Sequence, residues 1–149
     1  MVPIRSVSSC RSPVDVADAY FLATRLSSFT AFTAFLTNCR IGSDTVLSGV
    51  PGLLHYVSSK GAVVAFTRSL ASELGDDGIR VNAIAPGFTP TPAALELGGD
   101  AVTRSIERRA LKRSQTPEDL VGTVSWLLSA DSAFVTGQLI TVNGGYIYH

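Results

Sequence analysis

The run Ile79-Arg80-Val81-Asn82-Ala83-Ile84-Ala85, stopped by Pro86-Gly87, constrains the fold more than any other stretch of this chain. It is short and mostly apolar, and it lacks the strict alternation of a strand with one wet face. Such a run reads as a strand buried on both sides, as in a parallel sheet. The segments around it change period. Residues 54–75 read as a helix with Val63, Phe66, Leu70 and Leu74 as its apolar stripe, stopped at Gly75-Asp76-Asp77-Gly78. Thr116-Pro117-Glu118-Asp119 is a helix start, with Thr116 as N-cap, a proline at the first position and acids in the first turn. That helix runs to about Leu128 with Leu120, Val124, Leu127 and Leu128 inward. Gln138 to Val142 reads as a last strand, closed by Asn143-Gly144-Gly145, and Arg40 to Ser43 as the end of an earlier one. Strands alternating with helices predict βαβ units and an α/β fold with a parallel sheet. Three strands are fewer than a complete doubly wound sheet normally has.

The remaining segments are less regular. Residues 88–115 carry Pro90, Pro92, Gly98 and Gly99, with a helix expected over about 101–112; long connections of this kind often cover a site. The basic run Arg104, Arg108, Arg109, Lys112 and Arg113 reads as a solvated face of that helix, with a clamp for an anion as the alternative. Val14 to Leu36 permits a helix, with Asp15 and Asp18 at its start and Phe29, Phe32 and Phe35 spaced by three. Trp126 is expected in the core. With 46% hydrophobic and 16% charged residues and zero net charge over 149 residues, the chain has material for one core and no general attraction to nucleic acid or anionic membranes. Residues 19–36 are interrupted by Arg25 and several hydroxyls, so no span is expected there, and the start of the chain lacks the apolar core of a secretory signal. Cys10 and Cys39 form no CxxC and no metal-ligand spacing; free thiols in a reducing, cytoplasmic compartment are expected, and no metal.

Chemistry concentrates at Tyr56 and Lys60, four residues apart on the helix of residues 54–75 and therefore on one face. Ser43 lies 13 residues upstream. A phenol that titrates near 10 in water needs a drop of about 3 units, roughly 4 kcal/mol, to exchange protons near neutral pH. An exposed ion pair supplies ~1 kcal/mol, so the lysine must act from a partly dry cleft. His55 points about 100° around the helix from Tyr56 and is expected to be exposed or partner-facing.

Ser43, the run Tyr56-Val57-Ser58-Ser59-Lys60, Asn82 through Gly87, Thr136-Gly137-Gln138 and Asn143-Gly144-Gly145 occur in an order and at distances that resemble the C-terminal half of a short-chain dehydrogenase/reductase. The resemblance covers about residues 40–149. It implies a partial Rossmann-like, doubly wound parallel sheet and an NAD- or NADP-dependent oxidoreductase that interconverts a secondary alcohol and a ketone. Tyr56 then matches the general acid/base, Lys60 the residue that activates it and binds the nicotinamide ribose, and Ser43 the donor to the substrate oxygen. Pro86 and Gly87 match the turn that passes the nicotinamide, while Thr89 and Thr91 fall where the family's loop contacts the carboxamide and phosphate. Asn82 matches a structural asparagine. The C-terminal stretch resembles bacterial members that reduce 3-oxoacyl groups or oxidise small alcohols. Family members pair through the tyrosine-bearing helix, which implies a dimer or tetramer, with Ala62, Ala65, Phe66 and Ser69 suited to the packing.

The family's Gly-rich pyrophosphate turn belongs to its N-terminal half, and no GxxxGxG occurs in this sequence. Asp15 to Arg25 only loosely resemble the helix that carries the family's catalytic asparagine. Residues 1–39 are therefore expected to be a poorly matched, partly foreign segment of a truncated frame, and residues 40–149 the C-terminal half of the domain. The alternative expectation is an inactive fragment that serves only in assembly or binding.

Overall fold

The computed structural model describes residues 37–96 and 100–148. The helix expected over residues 14–36 lies outside them. Three strands form one parallel sheet in sequential order: β1 (Thr37–Ile41), β2 (Arg80–Pro86) and β3 (Leu139–Val142). The register runs from Thr37 opposite Arg80 to Ile41 opposite Ile84, and from Ala83 opposite Leu139 to Pro86 opposite Val142. β2 is the centre, and Val81, Asn82, Ala83, Ile84 and Ala85 are fully buried. That burial suits its mostly apolar run.

Six further elements surround the sheet. They are α1 (Thr45–Ser48), α2 (Leu54–Glu73), α3 (Pro92–Leu95), α4 (Asp100–Arg108), α5 (Glu118–Leu128) and a 3₁₀ turn at Ala130–Ser132. α2 lies chiefly on β2, whereas α5 packs across all three strands. α2 is left through Gly78, whose φ of 71° lets the chain reverse while the Ile79 N–H bonds the Leu74 carbonyl (3.2 Å). β2 begins two residues after that glycine.

Three packing expectations need correction. Along α2 the buried residues are Thr67 and Ala71, and Phe66 is 37% exposed. Small side chains let the helix approach the strand, and the Thr67 hydroxyl is satisfied within the helix by the Val63 carbonyl (2.7 Å). Phe66 instead carries the Arg40 guanidinium over its ring, 4.4 Å from the centroid. Along α5, Leu127 is buried but Leu128 and Trp126 are exposed; each lies about 100° around the helix from Leu127. The start of α5 also differs in detail. Pro117 occupies the N-cap position without a side-chain cap, and the Asp119 carboxylate reaches back to accept from the Thr116 N–H (2.9 Å).

Candidate active site

Ser43, Pro86, Gly87 and Thr89 lie at the carboxyl ends of the strands or in the loops that leave them, and Lys60 reaches the end of β1 from α2. In open α/β sheets this is the edge where ligands bind. Ser43 follows β1 and is held from both sides by the backbone: the Gly42 N–H bonds the Ile84 carbonyl (2.7 Å) and the Asp44 N–H bonds the Pro86 carbonyl (3.2 Å). A Cβ on residue 42 would stand 3.2 Å from that Ile84 oxygen and 3.3 Å from Leu139 Cδ1, a tight fit that glycine avoids. Ser43 is buried, and its Oγ accepts from the Thr45 hydroxyl (3.0 Å) and the Thr45 N–H (3.3 Å). Two accepted bonds leave its own proton uncommitted.

Tyr56 and Lys60 rise from the first two turns of α2. Lys60 Nζ donates to the carbonyl of Ile41, the last residue of β1 (3.0 Å), and lies 5.7 Å from the centroid of the Tyr56 ring. The ammonium is thus pinned to the strand end rather than hydrogen-bonded to the phenol. Partial burial pushes Lys60 below the usual lysine range. The Tyr56 hydroxyl makes no hydrogen bond among the described residues, and the residue is 37% exposed. His55 is exposed, as its position on the helix predicts.

The turn after β2 is tightly held. The Gly87 N–H bonds the Val142 carbonyl (3.1 Å). A Cβ at residue 87 would stand 2.8 Å from Gln115 Oε1, 2.9 Å from Asn143 Cβ and 3.1 Å from an Arg109 nitrogen. The Thr89 hydroxyl bonds the Gly87 carbonyl (3.2 Å), and Thr91 Oγ1 accepts from Ala94 N–H (3.2 Å) to cap α3. Asn82 stands apart from this edge. Its amide donates to the Val135 carbonyl (2.8 Å) and its oxygen accepts from the Gln138 N–H (3.1 Å), which places the loop that leads into β3.

Sequence reasoning missed a buried polar group beside the turn. Arg109, from the basic run read as a solvated face, is 2% exposed. It donates to Gln115 and feels the charge of Asp44, which in turn accepts from Asn143; all three are buried. The rest of the run is engaged at the surface: Arg113 with Asp119, Arg108 over the Tyr146 ring, and Lys112 on the Glu107 carbonyl. A depression of about 580 Å³ lies between Gly75–Arg80 and Ala133–Gln138, at the opposite end of β2. A smaller one, of about 150 Å³, is lined by Arg109, Arg113 and Asp119. Neither is lined by Ser43, Tyr56 or Lys60. Among the described residues no helix is long and apolar enough to cross a membrane.

The profile of the enoyl-(acyl carrier protein) reductase family matches residues 36–147, three quarters of the chain and the whole of this site. The chain belongs to the short-chain dehydrogenase/reductase family. The short-chain reductase protein NovJ of Streptomyces niveus is 40% identical over 110 residues, 69% of this chain and 42% of NovJ. The 3-oxoacyl-[acyl-carrier-protein] reductase FabG of Thermotoga maritima is 37% identical over 107 residues, 72% of this chain and 44% of FabG. A crystal structure of a 3-oxoacyl-[acyl-carrier protein] reductase with bound NAD from Brucella melitensis superposes with a TM-score of 0.67 at 33% identity, covering 75% of this chain and 41% of that one. This short-chain dehydrogenase/reductase chain thus spans less than half the length of the relatives it matches.

The residues present fit one end of a nicotinamide dinucleotide. Lys60 has ammonium donors beyond the one given to the Ile41 carbonyl at the end of β1. No glycine-rich turn is present in the sequence to cradle the pyrophosphate.

Proposed function

We propose that this chain carries the proton-transfer half of an NAD(P)-dependent oxidoreductase that interconverts a secondary alcohol and a ketone, with 3-oxoacyl groups as the favoured substrate class. Residues 40–149 serve as the C-terminal half of the dinucleotide-binding domain, and residues 1–39 lie outside the family pattern. One observation supports the reading most. The Lys60 ammonium is drawn under the Tyr56 ring by a backbone carbonyl of β1, two residues before Ser43. Partial desolvation makes that charge felt more strongly than on open surface, which an activated phenol requires.

In the reductive direction Tyr56 gives its proton to the substrate oxygen, and Ser43 donates a hydrogen bond to the same oxygen as charge develops on it. The preorganisation of Ser43 comes from the backbone bonds on either side of it. Lys60 stabilises the phenolate and offers its remaining donors to ribose hydroxyls. Pro86, Gly87, Thr89 and Thr91 line the path of the nicotinamide end. The nicotinamide, when bound, supplies the hydride. The relatives support either NAD or NADP, because solved neighbours bind each. Ala62, Ala65, Phe66 and Ser69 form an exposed strip on α2 suited to a second copy of the chain, and a cytoplasmic location accords with the chemistry.

Titrating the purified chain with NADH and NADPH and following cofactor fluorescence tests the reading. Saturable binding, weakened in Lys60→Ala, together with cofactor-dependent reduction of a 3-oxoacyl thioester that is lost in Tyr56→Phe, is expected. Turnover that survives Tyr56→Phe overturns the assignment of the acid/base.

A further inference from the structure

Asp44, Arg109, Gln115 and Asn143 come from three separate stretches of chain and gather where the strands end, each no more than 5% exposed. Arg109 donates to the Phe88 carbonyl (2.5 Å), to Gln115 Oε1 (3.4 Å) and to the Arg113 carbonyl (3.2 Å). Gln115 donates to the Val142 carbonyl (2.7 Å), the same oxygen that accepts from the Gly87 N–H. Asn143 donates to Asp44 Oδ2 (3.4 Å) and accepts from the Gly145 N–H (3.1 Å). Asp44 is the residue after Ser43, and its N–H bonds the Pro86 carbonyl. Burial raises the Asp44 carboxyl above its ordinary range, with Asn143 and the Arg109 charge opposing. The groups facing this pair are Asp119, Arg113 and Tyr146 around Arg109, and Asn143 against Asp44.

A guanidinium and a carboxylate are costly to bury, and apolar side chains of similar volume would fill the space with less penalty. What such a network adds is a single allowed arrangement. We infer that Arg109, with Asp44 as its countercharge, is a positioning residue that locks the Gly87–Thr89 turn to the strand end carrying Ser43. The hydroxyl donor and the turn that passes the nicotinamide then keep one mutual geometry. Gly87 reinforces the lock, since a side chain there would collide with Gln115, Asn143 and Arg109. The inference rests on the roles proposed above for Ser43 and the turn.

Two variants of the full chain test it: Arg109→Met, and the near-isosteric Asp44→Asn, which decides the matter if the first does not fold. In ¹H–¹⁵N spectra both are expected to move the amide signals of Ser43, Gly87 and Phe88 together. In the unaltered chain those signals follow one carboxyl titration above the free-carboxylate range, and Asp44→Asn abolishes it. With a 3-oxoacyl thioester, kcat falls by about tenfold to a hundredfold at little-changed KM, as misplacement of reacting groups predicts. Arg109→Lys does not restore it, because an ammonium cannot fork between the Phe88 and Arg113 carbonyls. Shifts confined to residues 105–115 in a folded variant, or unaltered kcat, overturn the inference. If the unaltered chain neither binds cofactor nor turns over, the proposed function fails while the amide signals still decide this lock.

Discussion

Replacing Arg80 by methionine is the sharpest test of how the sheet is held. Arg80 opens β2 and is 5% exposed. One terminal nitrogen donates to the Ser132 carbonyl (2.8 Å), the Ser132 hydroxyl (3.0 Å) and the Val135 carbonyl (3.2 Å). The other donates to the carbonyls of Leu127 (3.0 Å) and Ser129 (3.1 Å), where α5 ends with carbonyls that have no partner within the helix. The guanidinium therefore ties the C-terminus of α5 and the chain before β3 to the central strand, at the end of the helix dipole that favours positive charge. Charged hydrogen bonds are worth about 1.5–3 kcal/mol each, but summing them ignores the cost of desolvating the cation. Methionine strands neutral carbonyls rather than a charge, and each buried acceptor left unpaired costs about 1–3 kcal/mol; with several involved, about 3–5 kcal/mol is the expected loss. Against a domain stability of about 5–15 kcal/mol, it is roughly a fifth or more of the total. At roughly 3 °C per kcal/mol for a chain of this size, the melting temperature falls by about 9 °C or more. Urea unfolding followed by circular dichroism measures it, with Arg80→Lys losing about half as much because an ammonium offers fewer donors. A loss below about 1 kcal/mol for Arg80→Met would show that these contacts do not carry the junction.

Two further outcomes follow from the site. Gly87→Ala drives a methyl into Gln115 and Asn143 at 2.8 and 2.9 Å and is expected to cost about 1–3 kcal/mol; a neutral effect on the unfolding midpoint would mean that the turn shifts freely. Lys60 is one of two lysines in the sequence, so reductive ¹³C-methylation gives few signals, and the one assigned by Lys60→Arg should titrate below free lysine. A base whose folded value is depressed binds fewer protons folded than unfolded. Stability should therefore rise with pH through the window just below the free-lysine value, and this rise should vanish in Lys60→Met; an unperturbed midpoint would refute the partly dry setting.

Much of this was readable along the chain. The apolar run of β2 announced a central parallel strand, and the Pro and acids at 117–119 announced α5, because both signals are local. Which face of α2 packs was not readable. Apolar residues surround that helix, so Phe66 looked as suitable as Thr67, and only the closeness of β2 decides in favour of the smaller side chain. The buried charges were less legible still. Arg80 finds its partners 47 to 55 residues later, and Arg109 meets a turn 21 residues earlier, so neither leaves a pattern within a helical turn or a strand. Arg109 also sat in a run of cations whose other members do lie at the surface. Tyr56 and Lys60 were found because a spacing of four makes them neighbours on any helix.

The two amides that flank residue 43 are both anchored to oxygens of the central strand. A reactant pulling on the hydroxyl between them therefore pulls against the whole sheet rather than against a compliant loop. The same anchoring means that trimming the side chain to alanine leaves the backbone at residue 43 held, while the Thr45 hydroxyl and N–H lose their acceptor.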